Sequence, residues 1–288
     1  MLPKVPEGKM TRRLKLMTGL STLAAASALT LSGCGGEGEG GGEAAEADTV
    51  VAAGEGEGES AGVSGEAEGG EGESEGEGAT RSGDPATDNV AYVKLLGLVR
   101  GHLIAFIELY QSGERDMALT HVKHPESELY ASLTPAFAAR GMPGFADALT
   151  ALSNTAEAGG EITDAYSAVI EAISAHTPNM TISEQLLAVS EIVRTAGDEF
   201  DIAVEDDGAI TNLHEYQDAY GFLIASRDIL SGLETTDMNA ADAISLAHEQ
   251  VELALALFAG LTEETTEGTP STLYGAAARI EIAARGLS

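Results

Sequence analysis

Three of the six histidines in this 288-residue chain are spaced as a metal site would need them. His121 and His124 are three apart, so one helix turns both toward the same side. Met117 lies four residues before His121 and Glu128 four after His124, and an unbroken helix would align all four on one face. His102 comes from the preceding segment. Gly113 is a natural turn centre, and His102 and His124 are each eleven residues from it, so in an antiparallel hairpin they face each other about 16 Å from the turn. Neutral imidazole suits Zn, Cu, Fe and Ni; carboxylate favours Fe or Mn; a thioether favours Cu. The set therefore reads as a transition-metal site, iron or copper and then zinc. His102, His121 and His124 would be ligands, with Glu128 or Met117 completing the shell. A structural reading stays open on the same residues: His102 as a core histidine bonded to backbone or Tyr130, and His124 as the cap of a helix opened by Pro125.

Other chemistry is thinner. Asp228, His248 and Glu252 could meet across a later hairpin, as a second metal site or as a structural salt link. His214-Glu215 reads as surface, Tyr216 and Tyr220 as core, and His176 as a helix C-terminus, where the dipole favours a cation. The chain has no glycine-rich phosphate loop, Gly-x-Ser-x-Gly, His-Glu-x-x-His, Cys-x-x-Cys-His or Ser/Lys pair. The expectation is a protein that is not an enzyme.

The elements that must position these residues are helices. Residues 86–288 are rich in Ala, Leu, Ile and Glu, and the chain has no Trp. Leu95, Val99, His102, Phe106 and Leu109 form an apolar stripe on a first helix over 87–112. A second helix starts near Glu114, is interrupted at Pro125 and stops near Gly141. A third runs from Pro143 to about Ala158, and a fourth over 161–176. After Pro178, Thr181 and Glu184 form a capping box for a fifth helix to about Ala203. The sixth, seventh and eighth are expected over 210–233, 240–261 and 270–286. Eight helices with short connections, four on each side of Pro178, predict an all-α fold of two antiparallel bundles, 86–178 and 179–288. A faint repeat, Gly97-Leu98-Val99 against Gly221-Phe222-Leu223, is consistent with the division and would place His121 and His124 near His248.

The N-terminal third belongs to a different class. Basic residues up to Lys15 precede a small and apolar run ending at Leu31, the order of a secretory signal peptide over 1–33. Met10 would open a more conventional one than Met1. Leu31-Ser32-Gly33-Cys34 resembles the lipobox of bacterial lipoproteins, which implies cleavage before Cys34 and acylation of that cysteine, the only one in the chain. Gly35 after it resembles the sorting pattern for the outer membrane. The implied location is the periplasmic face of the cell envelope, with the membrane reached through the lipid. Residues 34–85 are mainly Gly, Glu, Ala and Ser without an aromatic, a composition that predicts a disordered tether of roughly 40 Å reach. Of the net charge of −32, residues 86–288 carry −22, which argues against nucleic acid or anionic lipid as a partner and leaves cations, cationic proteins or simple solubility. The protein partner expected is one of the envelope or of metal uptake.

The acidic, exported chain with two helical bundles and an inward Gly101-His102 resembles the imelysin-like proteins of bacterial iron acquisition. That family carries a Gly-x-His-x-x-Glu motif implicated in metal binding, and the resemblance implies a two-bundle fold and metal handling. Arg100 and Ala105 stand where the motif has glycine and glutamate. The expected function is an envelope-anchored periplasmic lipoprotein that binds iron or copper for uptake, storage or delivery. A structural or interaction module of the envelope is the alternative, and a b-type haem between two facing histidines a third reading.

Overall fold

The computed structural model describes residues 83–287. The expected signal segment, the expected lipidation at Cys34 and the expected tether up to residue 82 lie outside the described residues.

Helix α1 (Asn89–Ser112) opens where the Asp88 carboxylate accepts from the amides of Val90 and Ala91, and closes at Gly113, whose φ of 95° favours glycine. It is apolar nearly all round and is the central core helix. With a mean hydropathy of 1.6 it is long and apolar enough to cross a membrane, but 83% of that stretch is buried inside the fold. The expected second helix is divided in two, α2 (Arg115–His124) and α3 (Tyr130–Arg140), joined by a π-helical turn, Pro125–Leu129. Pro125 has no N–H to give, and the chain passes it by letting the Tyr130 amide donate to the Pro125 carbonyl, five residues back. This division gives nine α-helices among the described residues where eight were expected.

The remaining helices are α4 (Ala146–Glu157), α5 (Thr163–Ala175), α6 (Ile182–Ala203), α7 (Leu213–Ser231), α8 (Met238–Leu255) and α9 (Pro270–Arg285). Among the described residues β-structure is limited to two isolated bridges, Val204 with Ile210 and Ala209 with Thr265. These bridges shorten two expected helices. Ile210 donates to the Glu264 carbonyl at 2.9 Å, so α7 cannot start there. The Thr266 amide donates to Gly208 at 2.8 Å, so the segment after Leu255 folds back instead of extending α8.

The capping box at α6 is present: the Thr181 hydroxyl accepts from the Glu184 amide at 3.2 Å, and the Glu184 carboxylate accepts from the Thr181 amide at 2.8 Å. Thr181→Ala is expected to lower stability by about 1 kcal/mol, read as a shifted urea midpoint at constant slope.

Pro178 falls in the connection between α5 and α6, and one core runs across it, because α1 packs against α6 and α7. The pairs Arg100–Asp228 and Tyr220–Glu108 show α1 and α7 running antiparallel. Their closest approach is at Gly101 and Gly221. A Cβ on Gly101 would lie 2.9 Å from the Phe222 nitrogen, and one on Gly221 would strike the Gly101 carbonyl. Only glycine at both positions lets the two backbones touch. The crossing sets His102 against the N-terminal half of α7. Farther out, His176 ends α5 with its ring nitrogens 2.6 Å from the carbonyls of Ala172 and Pro143, which ties the α3–α4 connection to α5.

Candidate metal centre

Four elements bring imidazoles and carboxylates to one place. α1 supplies His102, α2 supplies His121 and His124, the π-turn supplies Glu128, and α7 supplies His214, Gln217 and Asp218. At the centre is Asp218, fully buried. Its Oδ1 lies 2.6 Å from His102 Nδ1 and 2.9 Å from His121 Nδ1. Its Oδ2 faces His214 Nδ1 at 3.7 Å and His124 Nδ1 at 3.9 Å. His214 stacks on His121 with ring centroids 4.2 Å apart, and His124 is also 4.2 Å from His214. His124 Nδ1 is 3.2 Å from a Glu128 oxygen.

The electrostatics follow from burial and charge. Burial opposes ionisation of Asp218, but the charges of His102 and His121 and the hydrogen bonds they donate outweigh it, and its pKa lies well below the usual carboxylate range. For His214, burial pulls the pKa down, while the hydrogen bond with Glu215 and the charges of Asp218 and Glu215 raise it above the ordinary imidazole value. Burial pushes Glu215 up, and its hydrogen bond to His214 brings it to a net value below the usual one; a hydrogen bond with Glu199 of α6 acts the same way.

Among the described residues, three sets bring one ligand atom each within 4.8 Å of one another: His102, His124 and Glu128; His102, His121 and Asp218; His124, His214 and Asp218. His124 Nδ1, His214 Nε2 and Asp218 Oδ2 are buried and make no hydrogen bond. A buried polar atom left without a partner costs about 1–3 kcal/mol. Two of these three atoms, His124 Nδ1 and Asp218 Oδ2, face each other at 3.9 Å within one of the sets and are what a bound cation would satisfy, so the residues fit a metal ion.

The structure brings His102, His121, His124 and Glu128 together, as the hairpin spacing implied. Met117 is placed differently: its sulfur is 3.3 Å from the Gln217 amide nitrogen, which also donates to the Leu261 carbonyl at 2.7 Å. The thioether is thus engaged by an amide, and the donor set is nitrogen and oxygen. The second set does not assemble. Asp228 accepts from Arg100 at 2.8 Å, and none of the metal-competent sets among the described residues includes Asp228, His248 or Glu252. His214 and Glu215 are half-buried beside Asp218, not on the open surface. Haem also finds no slot, since the His102 and His124 rings sit 5.4 Å apart, edge to face, with Phe222 5.0 Å from His102.

Asp218, His214 and Gln217 are the members that the spacing around Gly113 could not supply. One signal for them existed: His214 and Asp218 are four apart on a helix and precede Gly221. Ala105, where the Gly-x-His-x-x-Glu motif has glutamate, is fully buried beneath the Gly221 crossing. The carboxylate that meets His102 comes from α7 instead.

Residues 178–287 match the iron permease-associated 4-helix bundle domain. The match covers less than half of the chain and takes in α6 to α9. No curated protein and no solved structure matches the chain. His214, Gln217 and Asp218 lie inside the matched region, while His102, His121, His124 and Glu128 precede it. The cluster thus joins a four-helix segment similar to an iron permease-associated domain to a helical hairpin that the match does not reach.

Proposed function

We propose that this chain is a non-catalytic metal-binding protein of the bacterial envelope, anchored by lipid at Cys34 and facing the periplasm, whose helical domain binds iron for uptake, storage or delivery. The observation that carries the reading is the set His124, His214 and Asp218, whose ligand atoms lie within 4.8 Å of one another, with His124 Nδ1 and Asp218 Oδ2 buried and without hydrogen bonds. His124, His214 and Asp218 would hold the ion, with Glu128 beside His124. An imidazole and carboxylate set with its thioether engaged elsewhere suits Fe(II) better than copper. The similarity of residues 178–287 to a domain associated with iron permeases supports the same metal. The lipobox-like Leu31-Ser32-Gly33-Cys34 supports the envelope location.

The test is Fe(II) binding and melting of the full-length chain beside the double variant His124→Ala/His214→Ala. Near-stoichiometric iron and a several-degree rise in Tm, both lost in the variant, are expected. Identical melting with and without Fe(II) in the parent protein overturns the reading. Because His214 titrates above the ordinary imidazole value, protons compete with the ion near neutrality. The apparent affinity should therefore fall as the pH is lowered from about 8 to about 6.

A further inference from the structure

We infer that the centre holds two metal ions bridged by the Asp218 carboxylate, an inner ion on His102 and His121 and an outer ion on His124 and His214. This inference rests on the metal-binding reading above and extends it from one ion to a pair.

The inner site follows from the direction of one amide. Gln217 Nε2 donates to the Leu261 carbonyl at 2.7 Å and lies 3.3 Å from the Met117 sulfur, so the end of the amide that faces His121 Nε2, at 2.7 Å, is the oxygen. A carbonyl oxygen takes a proton, so His121 Nε2 carries one. In the neutral ring Nδ1 is then a lone pair, and that lone pair points at Asp218 Oδ1 from 2.9 Å. Two lone pairs do not face each other at that distance without a cation between them, a proton or a metal ion. The same oxygen has His102 Nδ1 at 2.6 Å. Both spacings are those of partners bridged by a proton, so an ion entering here displaces a proton and widens them to about 3 Å. Histidines that bind metals are held in this way, the second ring N–H donated to a fixed carbonyl so that the other nitrogen is aimed at the ion. His102, His121 and Asp218 are all fully buried and form one of the sets with ligand atoms within 4.8 Å of one another.

The outer site uses the other oxygen. Asp218 Oδ2 makes no hydrogen bond and faces His214 at 3.7 Å and His124 at 3.9 Å. Atoms bound to one ion at about 2.1 Å are themselves about 3–4 Å apart, so these spacings suit neighbours around one centre. Each oxygen of a single carboxylate therefore belongs to a different pair of imidazoles. That is the arrangement of a two-ion site, whose metals sit about 3.5–4 Å apart. The outer pair reaches solvent, with His124 19% and His214 23% exposed, while the inner pair does not. The outer ion should bind first and exchange faster.

The experiment is anaerobic loading of the full-length chain with Fe(II), metal analysis after desalting, and Mössbauer and EPR spectra before and after oxidation. Two irons per chain are expected, magnetically coupled, giving an EPR-silent pair on oxidation to the ferric state. His121→Ala should retain one iron, the outer one, and lose the coupling. One iron per chain in the parent protein overturns the pair and leaves the metal-binding reading standing. A second iron that is uncoupled from the first and survives His121→Ala also overturns it. No bound iron overturns the metal-binding reading itself. The parent stoichiometry and spectra decide the matter even if the variant fails to fold.

Discussion

Replacing Asp218 by Ala is expected to destabilise the apo protein by about 3–5 kcal/mol and to abolish metal binding. Asp218 is fully buried and its Oδ1 is shared by two fully buried imidazoles. Removing one member of a buried charged group leaves the others without compensation, which is far costlier than never having built the group. Asp218→Asn separates charge from volume: it keeps the packing and should still lose most of the stability, because an amide cannot balance the cationic side of the cluster. The pH dependence has a definite sign. The folded-state pKa of Asp218 is depressed, so its contribution is fully present above the unfolded carboxylate value, about 3.9, and is lost as pH falls toward the folded value. The stability gap between parent and Asp218→Asn should therefore narrow as the pH falls below about 4. Urea titrations of parent and variants at several pH values check this, and a gap that opens toward acid contradicts the assignment.

The same residue shows what was legible in the sequence. His102, His121, His124 and Glu128 could be grouped because the helical period and one turn at Gly113 fix their relations over fewer than thirty residues. Even the break at Pro125 left Glu128 beside His124, since a π-turn keeps the chain helical past a residue that cannot donate. Asp218, His214 and Gln217 are about a hundred residues farther on, and no local period connects α7 to α2. Their arrival depends on how α1 and α7 cross, a tertiary fact written only in the pair Gly101 and Gly221. The expectation for Asp228, His248 and Glu252 failed for a related reason: the hairpin count put Asp228 opposite α8, whereas α7 turns it to Arg100 on α1. Helix starts were legible where a cap or proline marks them, as at Asp88, Thr181 and Pro270. The ends at Ile210 and Leu261 were not, because backbone pairing to a distant loop decided them.

That dependence on one crossing makes Gly101→Ala the sharpest test of how the site is held. In an exposed helix, alanine in place of glycine gains about 1 kcal/mol. At Gly101 the new methyl would lie 2.9 Å from the Phe222 nitrogen and 3.0 Å from the Gly221 carbonyl carbon. These are backbone atoms of a packed helix and cannot rotate aside, so α1 and α7 must separate. Overpacking of this kind costs about 1–3 kcal/mol, and the upper end is expected because two helices move. The separation also carries His102 away from Asp218, so iron affinity should fall even though no ligand has changed. Gly275→Ala in α9 is the matched control: its methyl would meet only the Arg279 guanidinium, at an ordinary 3.7 Å, and the variant should gain about 1 kcal/mol with iron binding intact. Opposite signs for the same substitution at two helical glycines, read from urea midpoints, tie the metal centre to the α1–α7 contact. Equal stabilisation at both positions would mean that the helices do not touch at Gly101 and that Asp218 reaches His102 by another route.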